Sequence, residues 1–472
     1  MDRPAVSTRW IDSFVEQTRE AIFVRPQDQL LMVRPDRTLS LNASATQILE
    51  ALYRRRDRSA SQTLEELAPR LGVSHRRLLR DAGQLIDAVG AILREEYDPR
   101  PGLRLDSYRQ DLVQYPTLAE IALTYGCQNR CAFCYASSPQ REDQRPPMTT
   151  AQVQLVMDRI FHEAHVPTLS FTGGEATLRR DLPELIRHGA DLGLRVNLIT
   201  NGLRLADPRY ARQLAESGLA SAQISLEAAD PRLHDDIVGR SGAWEGTVAG
   251  VKQIRELGLH VHTNTTLCAR NLEAAEELVR FVAGTLELRT LSMNMVIPTG
   301  TALAEEAIGV TYTEVAARLP HLLEVAREEG VRLVWYSPIP YCIFNPVLHG
   351  LGAKSCACVS GIVSVDPTGQ VLPCSSFEEG LGSLLDRSFE RIYRSRRASY
   401  WRRRRYVPPP CRSCEDVDLC AGACPLYWDA AGSFEELPAA GAASPRARRR
   451  WERGRRRSRL FGVQPCTPQV GR

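Results

Sequence analysis

The chain has 472 residues, and 60 Lys and Arg against 56 Asp and Glu give it a formal net charge of +4 at pH 7. That length suits two or three domains with a substantial core, and so small a charge makes no electrostatic case for a nucleic-acid partner. No uncharged apolar run is long enough to span a bilayer and no signal peptide is recognisable, so the thirteen cysteines are expected as metal ligands in a reducing cytoplasm, not as a secreted disulfide scaffold.

The first 105 residues contain no cysteine. Short β-type runs at 21–24, 30–33 and 38–41 are separated by polar turns built on Pro26-Gln-Asp and Pro35-Asp-Arg. Asn42 is placed to cap a helix whose apolar face is Ala45, Ile48, Leu49 and Leu52. A second helix is expected from near Thr63, with Leu64, Leu67 and Leu71 inward. A third follows Ser74 and carries Leu78, Leu79, Leu85, Ile86, Val89 and Ile92. Three small strands followed by three helices predict a winged-helix-like module over 1–105, and Asp98-Pro-Arg-Pro-Gly102 reads as the linker that ends it.

The run Leu39-Ser-Leu-Asn-Ala-Ser-Ala45, set between those strands and helices, resembles the PqqD-like recognition element of ribosomally synthesised and modified peptides. That resemblance implies strand addition: the edge of a small sheet pairs with the extended leader of a precursor peptide, and a helix supplies side-chain pockets. Two rival readings are a structural cap and a DNA-binding winged helix. His75, Arg76, Arg77 and Arg80 favour the latter, and Glu65 and Glu66 oppose it.

The stretch Thr124-Tyr-Gly-Cys-Gln-Asn-Arg-Cys-Ala-Phe-Cys-Tyr135 spaces Cys127, Cys131 and Cys134 as C-x3-C-x2-C. Three thiolates on one tight loop can hold three irons of a [4Fe–4S] cluster and leave the fourth open to a small ligand; a zinc site would show paired C-x2-C units. With Phe133 before the last cysteine, the loop resembles the radical S-adenosylmethionine (radical SAM) superfamily.

Around it, strand-like runs at 118–123, 168–171, 196–199, 222–226, 261–266, 291–296 and 331–335 alternate with helical patterns. The alternation predicts an α/β fold with a parallel sheet and right-handed crossovers, rolled into a partial (β/α)6 TIM-like barrel over 106–340. The family resemblance implies the same fold, and sites of such a sheet lie at the carboxyl ends of its strands. Gly173-Gly174-Glu175 follows the second strand and resembles the family's Gly-Gly-Glu element. The glycines would let the backbone approach a ligand closely, and the resemblance implies that Glu175 pairs with the ammonium of SAM. Asn201 after the third strand, Ser225 after the fourth, Asn264 at the end of the fifth, and Phe133 complete the expected SAM contacts, with 296–300 packing on the adenine.

Beyond the barrel, Cys356 and Cys358 precede a Gly369-x4-Cys374 unit. Cys411, Cys414, Cys420 and Cys424 follow as C-x2-C-x5-C-x3-C, with Cys466 further on. The pattern resembles the SPASM domain, here over 341–472. The resemblance implies two auxiliary [4Fe–4S] clusters, one on Cys356, Cys358, Cys374 and Cys424 and one on Cys411, Cys414, Cys420 and Cys466. This sequence departs from the family in two places. Cys356 and Cys358 are only two apart, so Cys342 is an alternative for one of them, and an Arg-rich insertion separates Cys466 from Cys424. Cys268 fits no ligand spacing and is expected as a buried free thiol. The basic runs 402–405 and 446–459 read as solvated faces, or as attraction for an acidic peptide or redox partner.

Taken together, the resemblances imply a radical SAM/SPASM maturase with a fused leader-binding domain. A flavodoxin- or ferredoxin-type donor would reduce the first cluster, SAM would yield a 5′-deoxyadenosyl radical, and a precursor peptide would be cross-linked through a carbon–carbon or thioether bond. Sulfatase maturases carry an aspartate after the cysteine of Gly-x4-Cys, where Ser375 stands here, and this argues against a folded-protein substrate. A tetrapyrrole or other small molecule would leave the N-terminal module unexplained. An iron–sulfur DNA-binding redox sensor is opposed by the intact Gly-Gly-Glu element. Neither a membrane nor a nucleic acid is expected as partner.

Overall fold

The computed structural model describes residues 8–33, 37–55, 57–94, 103–104, 113–138, 141 and 146–438. It forms two compact units, Met1–Tyr115 and Pro116–Arg472. The expected linker at 98–102, the basic run 446–459 and Cys466 lie outside the described residues. Among the described residues no helix is long and apolar enough to cross a membrane.

The first unit opens with α1 (Arg9–Thr18) and continues through β1 (Ile22–Arg25), β2 (Leu30–Val33) and β3 (Arg37–Leu41) to α2 (Ala43–Arg54), α3 (Ala60–Leu71) and α4 (His75–Leu93); β4 (Leu103–Arg104) follows. The strands form an antiparallel sheet in the order β1-β2-β3-β4. Each of α2, α3 and α4 starts at a side-chain cap. Asn42 Oδ1 accepts from the Ala45 amide at 2.8 Å, and Ser74 caps α4. Helix α3 begins three residues earlier than the sequence reading, because Ser59 and Gln62 cap each other reciprocally. Helix α1 and β4 escaped that reading. The core face of α1 is Ile11 and Val15 with the partly buried Phe14, a helical spacing the sequence reading did not take up, and β4 is two residues long.

Ile11, Val15, Ile22, Leu31, Leu39, Leu49, Leu64 and Ile86 belong to one core cluster. At the turn between β1 and β2, a buried ion pair closes the hairpin. Arg25 Nε and Nη2 each reach a carboxylate oxygen of Asp28 at 2.8 Å, and both side chains are essentially unexposed. The same pair holds the end of the unit, since Arg25 Nη2 donates to the Tyr115 carbonyl at 3.0 Å and the Gln114 amide donates to Asp28 at 3.1 Å.

The second unit is built on one ten-stranded sheet. Strands β5 (Leu118–Ala122), β6 (Thr168–Thr172), β7 (Arg195–Thr200), β8 (Ser221–Ser225), β9 (His260–Leu267), β10 (Thr290–Met295) and β11 (Arg332–Trp335) lie side by side in chain order and run parallel. Helices cross between them, such as Thr150–His162 before β6 and Leu182–Leu192 before β7. This is the partial TIM-like barrel expected from the alternation of strands and helices. The sheet does not stop at β5. Strand β12 (Ile362–Val365), from the cysteine-rich region, pairs with β5 in parallel, and β13 (Gln370–Leu372) and β14 (Gly382–Ser383) extend it antiparallel. The carboxyl ends of β5 and β12 therefore lie together, and Ser375 and Ser376, which follow β13, line the cavity described below.

The Arg25–Asp28 pair gives the first prediction. Asp28→Ala leaves a guanidinium buried without its carboxylate, a change that costs about 3–5 kcal/mol. Chemical denaturation should show unfolding of the first unit at markedly lower denaturant, with amide exchange at 22–33 accelerated. Unchanged exchange there would mean that the pair contributes nothing to holding the hairpin.

Candidate active site

A cavity of about 410 Å³ opens at the carboxyl ends of β5 to β10. Cys127, Cys131, Cys134, Phe133, Gly173, Gly174, Asn201, Ser225 and Asn264 all line it. The tertiary structure thus collects on one wall the candidates that are spread over 138 positions of sequence. Asn264 falls inside β9, three residues before its end, and Val296, Ile297 and Thr299 line the wall beside it.

The cysteine loop after β5 has almost no regular structure, so its backbone groups need partners elsewhere. Three neighbouring turns supply them. The Gly174 amide donates to the Thr124 carbonyl at 2.7 Å, and the Glu175 amide to Gly126 at 2.8 Å. The Arg130 and Ala132 amides donate to the Val238 and Ile237 carbonyls at 2.9 and 3.0 Å. From the far side the Thr301 amide reaches the Cys134 carbonyl at 3.1 Å, and its hydroxyl the Cys131 carbonyl at 3.0 Å.

This clasp explains the glycines. A Cβ on Gly174 would sit 2.4 Å from the Gly126 carbonyl oxygen and 2.6 Å from that of Tyr125. Gly173, at φ +133, would press a Cβ to 2.2 Å from the Thr124 oxygen. Both glycines face the cavity, but the closest backbone they must clear is that of the cysteine loop, not of a ligand.

Glu175 departs from its expected role. It is wholly buried and is not on the cavity wall. Its carboxylate accepts from the Thr177 amide and hydroxyl at 2.9 and 2.7 Å, the Thr200 hydroxyl at 2.7 Å and the Asn201 amide at 2.8 Å. Four protein donors and no exposed surface leave it bracing the Gly-Gly turn against the end of β7.

Two carboxyls that the sequence reading did not select do face the cavity. Glu227 sits beyond β8, and burial pushes its pKa up to about 8 against one lowering contact, the Thr266 amide at 2.8 Å. Glu120, on β5, is raised by burial and accepts a 2.6 Å bond from the Ser364 hydroxyl of β12, with Ser375 also donating to it. The signal available in the sequence was an acidic residue inside the otherwise apolar run 118–122.

The cysteines of the C-terminal region fall into two groups. Cys358 exchanges hydrogen bonds with Cys356 and Cys374, and Cys424 feels the charges of Cys356 and Cys374. Cys411 feels Cys420, Cys342 and Cys414, and Cys342 feels Cys420 and Cys414. The tight pair Cys356 and Cys358 therefore stays together, and Cys342 belongs with the other group; its expected substitution for one of them is not what the fold builds. Cys268 is buried, as expected of an unpaired thiol.

These sites fit iron–sulfur clusters and a polar ligand. Among the described residues no three or more His, Cys, Asp or Glu side chains close up around a single ion, whereas a cluster spreads its thiolates over several irons. Burial pushes the Cys127 thiol up to about 12 and raises Cys131 and Cys134 as well. Such thiols ionise when they bind iron, and binding releases their protons. On the cavity wall the Asn129 side chain is buried, and its Oδ1 has no protein partner, a feature suited to a ligand donor.

Gly174→Ala tests the clasp. The added methyl should force the turn and the cysteine loop apart at a cost of about 1–3 kcal/mol. In the apoprotein the melting temperature should fall and alkylation of Cys127, Cys131 and Cys134 should speed up. Wild-type alkylation rates would show that the loops absorb the methyl without opening.

Residues 121–282 match the radical SAM superfamily, and residues 356–415 match SPASM, an iron–sulfur cluster-binding domain. An AdoMet-dependent heme synthase of Oleidesulfovibrio alaskensis is 29% identical over 328 residues, covering 64% of this chain and 80% of its own. A PqqA peptide cyclase of Bradyrhizobium diazoefficiens is 29% identical over 323 residues, covering 66% and 81%. Among solved structures, Streptococcus suis SuiB bound to the precursor peptide SuiA superposes with a TM-score of 0.64 at 15% identity over 86% of this chain and 95% of that one. The anSMEcpe structure with AdoMet and the Kp18Cys peptide gives 0.55 at 16% identity over 74% and 100%. The cofactors are therefore SAM and a [4Fe–4S] cluster, with auxiliary iron–sulfur clusters in the region that matches SPASM, and the chain is an enzyme that carries a radical SAM domain over residues 121–282.

Proposed function

We propose that this enzyme modifies a ribosomally made precursor peptide and forms a carbon–carbon or thioether cross-link in it. Bound SAM and its cluster supply a 5′-deoxyadenosyl radical able to take hydrogen from an unactivated carbon. In this reading Cys127, Cys131 and Cys134 hold that cluster. Gly173, Gly174, Asn201, Ser225, Asn264 and Phe133 enclose SAM, with Glu175 bracing the turn behind it. Cys356, Cys358, Cys374 and Cys424 form one auxiliary site, and Cys411, Cys414 and Cys420 belong to a second. A flavodoxin- or ferredoxin-type protein is the electron donor. The protein's part is to fix the reacting atoms and exclude water, while the cofactor carries the chemistry.

The observation that carries the peptide reading is the first unit. The second unit is 357 of the 472 residues, about 76%, so a superposition on SuiB over 86% of the chain extends into the first. There a small antiparallel sheet stands beside three capped helices, an arrangement suited to strand addition as in a PqqD-like element over 1–105. On the β3 edge, Ser40 and Leu41 pair with Arg104 and Leu103. Leader pairing is then expected at Thr38 and Leu39, or by displacement of β4. The heme synthase relatives favour a second reading, a tetrapyrrole substrate, at equal identity.

Two measurements separate these. Anaerobically reconstituted protein in which Cys127, Cys131 and Cys134 are all alanine should lose one cluster's iron and all 5′-deoxyadenosine formation. Residual 5′-deoxyadenosine in that variant would remove the loop from the chemistry. Deleting residues 1–115 should leave SAM cleavage near wild type and abolish turnover of a precursor peptide at low concentration, because the leader no longer raises the local concentration of its core. Undiminished peptide turnover, or turnover of a tetrapyrrole in place of any peptide, would overturn the peptide reading.

A further inference from the structure

We propose that Cys342 supplies the fourth thiolate of the second auxiliary site and closes it with Cys411, Cys414 and Cys420. The proposal rests on reading the C-terminal cysteines as cluster ligands and concerns which residue completes the set. A [4Fe–4S] cluster held wholly by protein takes four thiolates. The first group already has four, Cys356, Cys358, Cys374 and Cys424, so it needs no other. The C-x2-C-x5-C run supplies three to the second. Cys466 lies a further 42 positions beyond Cys424, whereas Cys342 is delivered to the site by the fold.

The segment 339–342, which follows β11, runs against Cys420. The Tyr341 amide donates to Cys420 Sγ at 3.4 Å, and that sulfur lies 3.8 Å from the Ile339 carbonyl oxygen. Tyr341 is itself fixed, because its hydroxyl accepts from the Lys354 amide at 2.9 Å. On the other side, the Cys414 amide donates to the Cys411 carbonyl at 3.1 Å, and Cys411 Sγ packs against Gly422, where a Cβ would stand 3.3 Å from it. Cys342 directly follows Tyr341, so it shares one locality with Cys420 and with Cys411 and Cys414 of the same short run. Cys420 is buried at its floor, and Cys342 and Cys414 are exposed at its rim. With Cys342 in place, both auxiliary sites present four thiolates. Neither then has an iron open to a substrate thiolate, and both suit electron transfer.

Exposure makes the test direct, since the fold alone does not shield Cys342 from a reagent. Full-length reconstituted protein is treated anaerobically with iodoacetamide before and after iron is stripped, and each cysteine is followed by mass spectrometry. Cys342 should be protected in the loaded protein and become reactive on stripping in step with Cys414, while Cys466 reacts in both states. In parallel, Cys342→Ala should lower iron by up to about four atoms per chain or leave the EPR signal of a three-iron cluster, and Cys466→Ala should keep full iron. Reactive Cys342 beside protected Cys411 and Cys414 in the loaded protein overturns this proposal and leaves the auxiliary cluster standing. Cys342, Cys411 and Cys414 all reactive, with Cys411→Ala keeping full iron, overturns the cluster reading and this proposal with it. The footprint needs no variant, so a misfolded Cys342→Ala would not obscure the result.

Discussion

The active site depends on holding an irregular loop still. Residues 124–138 carry three cysteines but no helix or strand, and a buried loop must find partners for its amides and carbonyls. Three turns from elsewhere in the barrel provide them, through Gly174 and Glu175, through Ile237 and Val238, and through Thr301. Backbone-to-backbone contact at these distances excludes side chains. Gly239 and Gly300 meet the loop as closely as Gly174 does, with Cβ positions 2.6 and 2.1 Å from the Arg130 and Cys134 oxygens. The Gly-Gly-Glu element is therefore first a piece of the scaffold. Its carboxylate ties the turn to β7, and its glycines let two loops touch.

The cavity beside that loop belongs to both halves of the second unit. Strand β12 extends the parallel sheet at β5, and the Ser364–Glu120 bond joins the two strands by side chain as well. Ser375 and Ser376, just past Cys374, reach the cavity wall. The segment just past an auxiliary cysteine thus contributes side chains to the barrel cavity. Glu120 and Glu227, each raised by burial, put two carboxyls on a wall whose other side chains are neutral polar, apolar, aromatic or thiol.

The first unit solves a different problem. A short sheet backed by four helices has little area to bury, so its hairpin is closed by a bidentate ion pair inside the protein. Such a pair adds little to stability over an apolar substitute but makes loss of either partner costly, which fixes the hairpin and ties residues 114 and 115 to it. The pairing of β4 with β3 covers the sheet edge at Ser40 and Leu41.

Much of this was determined by the sequence alone. The alternation of short strand-like runs with helical patterns located all seven strands of the barrel, and capping residues placed the starts of α2 and α4. The cysteine spacing and the glycine pair pointed to the iron–sulfur chemistry, because thiolates and φ-permissive backbone are local requirements. Tertiary structure decided what is not local. It turned Glu175 inward, since four donors from two strand ends converge there, and it brought out Glu120 and Glu227, whose character comes from the burial around them. It added α1 and the two-residue β4, and it placed Cys342 beside Cys420 rather than Cys356. A spacing rule describes one segment of chain, and that grouping is set where two segments 78 residues apart meet.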